Sequence, residues 1–125
     1  MSAGTIAVVG ASRNRQKFGN KCVRAYQSAG WEVLPVNLHE DGIEGCAVFR
    51  TLQDIQVPLD RVSLYLPPAR TKALLAEMTE MRGVEVWFNP GSADPQVLEE
   101  ATRLGIEVRD GCSIVDIGKS PAEFP

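Results

Sequence analysis

The sequence predicts an α/β fold: a Rossmann-like, doubly wound, mainly parallel sheet with helices on both faces. Three observations carry that expectation. The stretch Thr5-Ile6-Ala7-Val8-Val9 runs into Gly10-Ala11-Ser12, the pattern of a buried parallel strand opening through a tight turn into a helix N-terminus. Helix-length apolar stripes then alternate with short strand-forming runs. Finally, one phrase recurs: Gly30-Trp31-Glu32-Val33, Gly83-Val84-Glu85-Val86 and Gly105-Ile106-Glu107-Val108 each join a helix-stopping glycine to an apolar residue, Glu and Val. Three helix-to-strand junctions of one chemistry imply repeated α/β units. Right-handed crossovers then arrange the strands in the order 3-2-1-4-5-6.

The elements follow in order. A strand over 5–9 and a turn over 10–17 lead to a helix over 18–29, with Phe18, Cys22, Ala25, Tyr26 and Ala29 spaced to face a sheet. Residues 31–37 read as the second strand, and Pro35, lacking an N–H, places its end or a sheet edge there. A polar loop over 39–45 and a short strand over 46–49 come next, then Thr51 and Asp54 cap a brief helical turn. Pro58 breaks the pattern. The strand over 61–66 stops at Pro67-Pro68, where a helix over 69–82 carries Leu74, Leu75, Met78 and Met81 on one side. A strand over 84–88 leaves through Asn89-Pro90-Gly91-Ser92. Asp94 and Pro95 then open a helix with Val97, Leu98, Ala101 and Leu104 inward. The last strand begins at Ile106 and is followed by Asp110-Gly111-Cys112. Residues 118–125 read as a loosely attached tail.

Composition narrows the function. A chain of 125 residues with 44% hydrophobic residues can build one domain, here spanning 1–125. There is no apolar run of membrane-spanning length and no secretory-leader layout, so no membrane partner and a cytoplasmic location are expected. Cys22, Cys46 and Cys112 are widely spaced and His39 is the only histidine, a poor set for zinc or disulfides. Charge is unevenly placed. Residues 1–31 hold Arg13, Arg15, Lys17, Lys21 and Arg24 and no carboxylate, so they carry +5, whereas 16 acidic and 8 basic residues follow and carry −8. That opening segment is expected to favour an anion. Nucleic acid is disfavoured, because the pI is near 5.1 and no aromatics interleave the basic loop.

In such sheets ligands sit outside the carboxyl ends of the strands, where strand order reverses. That rim should comprise Gly10-Ala11-Ser12, Pro35-Val36-Asn37, Leu66-Pro67-Pro68, Asn89-Pro90-Gly91 and Gly111-Cys112-Ser113. The glycine turn can offer backbone N–H groups, the Ser12 hydroxyl and a helix N-terminus to a phosphate, with Arg13, Arg15 and Lys17 assisting. The dinucleotide fingerprint G-x-G-x-x-G is missing, and the second strand ends in Asn37 instead of a carboxylate. NAD is therefore disfavoured, and a nucleotide carrying extra phosphate suits the basic loop better.

Several phrases, in register, carry a resemblance: Ala7-Val8-Val9-Gly10-Ala11-Ser12, Val33-Leu34-Pro35-Val36-Asn37, Val48-Phe49-Arg50-Thr51-Leu52, Tyr65-Leu66-Pro67-Pro68 and Asp110-Gly111-Cys112. Over residues 4–116 the chain resembles the small CoA-binding proteins of bacteria, whose fold is similar to the N-terminal domain of the succinyl-CoA synthetase α subunit. The resemblance implies a cofactor, coenzyme A or an acyl-CoA. Its phosphates would lie at Gly10, Ala11, Ser12 and Arg13, its nucleotide beside Pro35, Val36 and Asn37, and Leu66, Pro67 and Pro68 would touch it from the middle strand. Lys17 and Lys72 are added for their charge near that rim. Two departures stand out: Ser113 replaces the usual proline after the late cysteine, and Pro67-Pro68 replaces charged residues common in the small members. The synthetase's phosphohistidine belongs to a further domain, so its ligase reaction is not inherited.

The expected function is a noncatalytic CoA-binding module, since no nucleophile-base set or carboxylate pair is recognisable. The alternatives are an NAD(P)-dependent oxidoreductase, an enzyme using Cys112 on a bound thioester, and a half-site completed in a homodimer or by a ligase-like protein partner.

Overall fold

The computed structural model describes residues 2–125; Met1 lies outside the described residues. Five strands form one wholly parallel sheet: β1 (Thr5–Val9), β2 (Glu32–Val36), β5 (Arg61–Leu64), β6 (Glu85–Phe88) and β7 (Glu107–Asp110). Their order is β2-β1-β5-β6-β7. The chain steps outward from β1 to β2, then crosses back to place β5 on the other side of β1. The strand order therefore reverses between β1 and β5.

Alternation along β1 divides the core. Ile6 and Val8 join Cys22, Val23, Ala25, Tyr26 and Val33 beneath helix α1 (Phe18–Ser28), together with Ile114 of the short α4 (Ser113–Asp116). Ala7 and Val9 point the other way, into a layer shared with Val62, Leu64, Val86 and Phe88. Helices α2 (Pro68–Met78) and α3 (Pro95–Arg103) close that layer through Leu75, Met78, Val97 and Ala101. Both faces of the sheet are thus covered, as strands with continuous apolar runs require. Asp94 caps α3 as expected, its carboxylate accepting from Val97 N at 2.9 Å. Among the described residues no helix is long and apolar enough to cross a membrane.

The expected third strand is almost lost. Within 39–49, β3 (Gly42–Ile43) and β4 (Cys46–Ala47) pair antiparallel instead. Glu44 and Gly45, with φ of 49° and 80°, make the left-handed two-residue turn that such a hairpin favours. Only Phe49 reaches the sheet, as a single parallel bridge to Val36. Pro35 supplies the reason. Phe49 N donates to Pro35 O on this open edge, but Pro35 has no N–H to return there, so the ladder stops.

Two further expectations are corrected. Phe18 leaves the sheet-facing stripe and is 59% exposed in the first turn of α1. The final residues are not loose: Pro121–Glu123 form a capped 3-10 turn, Phe124 packs on the α1 layer, and Arg24 donates to Phe124 O and Pro125 O, both at 3.0 Å.

Candidate functional site

A cleft of about 920 Å³ opens at the carboxyl ends of the strands, around the β1/β5 switch point. Its first wall is the turn after β1. Gly10 has φ of 88°, and a Cβ there would lie 2.8 Å from Tyr65 O, so a side chain is barred by both backbone and space. Gly19 in the first turn of α1 packs directly on that turn, since a Cβ on it would run into Gly10 O and lie 3.2 Å from Ala11 Cα. The helix start is thereby held against the loop it follows. No side chain caps α1 or α2, neither has an acidic residue in its first turn, and both begin at the cleft. Their N-terminal dipoles favour an anion.

Of the candidate residues, Gly10, Ala11, Ser12, Lys17, Asn37, Leu66, Pro67 and Pro68 line this cleft. Val36 lines a smaller adjoining cavity of about 230 Å³, which also includes Gly10, Asn37, Leu66 and Arg70. Pro35, Arg13 and Lys72 line neither. Pro35 is buried in β2. Lys72 faces α3, where Arg103, chiefly, and then Lys72 hold the Glu100 carboxyl below its usual range.

The cationic opening segment is redistributed by folding. Arg13 pairs with Glu40 and Arg15 with Glu44, both at 3.4 Å. Arg24 is occupied by Asn20 Oδ1 at 2.7 Å and Arg15 O at 2.8 Å, besides the tail carbonyls. Lys21 lies 5.7 Å from the centre of the Phe18 ring. The carboxylates absent from residues 1–31 are thus returned from the neighbouring hairpin and the loop before it. Lys17 alone of the five cations lines the cleft.

Asn37 both lines the cleft and braces it. Its amide donates to Ala11 O at 2.9 Å, while Oδ1 accepts from His39 N at 2.7 Å and Glu40 N at 2.9 Å. A deeper brace lies below. Asn89 Nδ2 donates to Ser63 Oγ at 2.8 Å and Leu64 O at 3.0 Å, and Oδ1 accepts from Ser113 N at 2.9 Å. Ser63 and Ser113 share a bond of 2.7 Å beside the buried Cys22 thiol, whose pKa burial pushes up. This network ties β5, β6 and α4 together under the cleft floor.

The Tyr65 hydroxyl lies in the same layer, yet it is buried without a hydrogen-bond partner among the described residues. Burial, foremost, and the Cys22 thiol push its pKa far up. An orphaned hydroxyl costs its desolvation, about 1–3 kcal/mol. Tyr65→Phe is therefore expected to raise stability by about 1–3 kcal/mol. Urea unfolding checks this, and a loss above about 1 kcal/mol would mean the hydroxyl is bonded after all.

Gln16, Phe18, Gly19, Tyr65, Arg70, Asn89, Pro90, Gly91, Ser92 and Cys112 complete the lining. Asn89, Gly91 and Cys112 sit at strand ends that the sequence pattern marks as the rim. Arg70 carried no signal beyond its place two residues after Pro68.

The family described as the CoA binding domain matches residues 4–118. This chain belongs to the CoA-binding domain family. The Bacillus subtilis protein YneT is 29% identical over 104 residues, covering 81% of this chain and 77% of that protein. A conserved hypothetical protein from Pyrococcus furiosus superposes with a TM-score of 0.82 at 31% identity, covering 90% of this chain and 98% of the other. The α subunit of an ADP-forming acetate–CoA ligase from Pyrococcus furiosus is 32% identical over 83 residues, covering 64% of this chain but 18% of the subunit. The relatives are bacterial and archaeal, and the ligase among them is an acetate–CoA ligase. Membership therefore stands at the level of CoA-binding domains related to those of acyl-CoA ligases, a broader group than the small bacterial proteins or succinyl-CoA synthetase.

Proposed function

We propose that this chain is a noncatalytic module that holds coenzyme A, or an acyl-CoA, in the cleft, with its phosphates at the Gly10-Ala11-Ser12 turn and the start of α1. The observation that carries this reading is the coincidence of a CoA-binding family match over 4–118 with a large cleft at the sheet's switch point. A cleft of about 920 Å³ is ample for an extended nucleotide-bearing ligand. The noncatalytic part is supported by the internal use of the candidate polar groups: Asn37, Asn89, Ser63 and Ser113 all satisfy one another or the backbone.

Thermal unfolding with added ligand tests it. Coenzyme A at a hundred times its Kd should add about 2.7 kcal/mol, a rise in Tm of about 10 °C for a chain of this size. NADH and NADPH should give much smaller shifts. A Tm unmoved by millimolar coenzyme A, or moved equally by NADH, would end the proposal.

A further inference from the structure

The two cavities at the switch point share one wall, made of Gly10, Asn37, Leu66 and Arg70. Any ligand long enough to fill both must pass these four residues. Only one of them is charged. We propose that Arg70 is the cation that anchors the diphosphate of the bound cofactor, an inference that rests on the coenzyme A reading above. In that ligand the diphosphate joins the nucleoside to the neutral arm, so it is the part that crosses the junction whichever end occupies which cavity.

Lys17 has no ion pair among the described residues, but it lines only the larger cavity and not the shared wall. The remaining cations nearby are less available. Arg50, on the smaller cavity, is tied to Asp41 Oδ1 at 2.6 Å and to the carbonyl of Glu40. Arg13 and Arg15 are paired outside the cleft. The Arg70 guanidinium is exposed and has no hydrogen bond or ion pair among the described residues. It also stands in the first turn of α2, where a cation opposes the helix dipole and a carboxylate would stabilise the helix. A local rule broken without a partner inside the protein marks a place where function has taken precedence over stability. A guanidinium matches a diphosphate well, because its planar fork makes paired, charge-assisted bonds to phosphate oxygens.

The test compares wild type with Arg70→Met by calorimetric titration of coenzyme A and dephospho-CoA, which keeps the diphosphate but lacks the ribose 3′-phosphate. The expected result is an equal loss for both ligands, about tenfold to a hundredfold. Arg70→Lys should recover part of it. Without ligand, Arg70→Met should melt about 1–4 °C higher, since the unfavourable charge at the helix start is gone. A loss confined to coenzyme A would assign Arg70 to the 3′-phosphate and overturn the inference. So would unchanged affinities, or an unliganded Tm lowered by several degrees. A wild-type chain that binds neither ligand would overturn the coenzyme A reading and this inference together, whereas normal wild-type binding with unaltered variant binding would overturn this inference alone.

Discussion

Replacing Gly19 with alanine is expected to cost about 3 kcal/mol of stability and to deform the cleft, the upper end of what overpacking a close contact usually costs. The added methyl would run into the carbonyl oxygen of Gly10 and lie 3.2 Å from Ala11 Cα. Both obstacles are backbone, so neither can swing aside as a flexible side chain could. Relief requires moving the start of α1 away from the turn after β1, which opens the wall where the phosphates are proposed to sit. Gly30→Ala is the control. Gly30 has φ of 83° but nothing within 4 Å of an added Cβ, so only left-handed backbone strain of about 1–2 kcal/mol applies. Urea unfolding of both variants decides the point: a Gly19→Ala loss no larger than that of Gly30→Ala would show that the α1 start can yield.

Arg61→Met is expected to lower stability by about 2–3 kcal/mol, less than breaking a fully buried pair costs, because its partners are partly exposed to solvent. Arg61 opens β5 at the end of the sheet opposite the cleft, its side chain only 16% exposed. Its guanidinium lies 5.1 Å from the Trp31 ring centre and 5.3 Å from that of Trp87, placing it between two aromatic surfaces. It pairs with Asp116 at 2.8 Å and Glu85 at 3.2 Å, and donates to the Tyr26 hydroxyl at 3.0 Å. Tyr26 in turn donates to Ser113 O at 2.8 Å, so the cluster joins β5, β6, α1 and α4. Arg61→Lys should recover little, because a compact ammonium cannot lie flat between two rings while bonding three partners. Coenzyme A affinity of the folded variant should match wild type, since no residue of this cluster lines either cavity. Stability retained in Arg61→Met would refute the role, and binding lost while the fold persists would refute the separation of this cluster from the site.

The same cluster has a pH signature. Burial, chiefly, pushes the Tyr26 phenol up to about 12 from its ordinary value of 10.0. Above pH 10 the unfolded chain releases this proton while the folded chain retains it, so the contribution is complete below pH 10 and declines as pH rises towards 12.

Much of the fold was legible because its causes are local. The apolar run before Gly10, the proline and aspartate opening α3 and the glycines after α1 and α3 act within a few residues, and those elements stand where periodicity and capping place them. Helix α2, expected to run to 82, ends at Met78, five residues before Gly83. The third strand shows where locality ends. Residues 46–49 have strand chemistry, but whether they join the sheet depends on the edge they meet, and Pro35 on that edge has no N–H to offer. Phe18 is similar: its spacing fits the sheet-facing stripe, yet the first turn of α1 projects beyond the sheet into the cleft.

By itself the sequence determined the alternation of strands and helices, the glycine turn after the first strand, and hence the rim on which a ligand would lie. Only the tertiary structure decided which charges face that rim. Arg13 and Arg15 lead the basic run of the chain, but the hairpin over 42–47 and the loop before it bring Glu44 and Glu40 to them, while Arg70 arrives at the cavity junction from another helix. Backbone preference is set by neighbours in the chain. Coulomb partners are set by distance in space, and that is known only once the crossovers have packed.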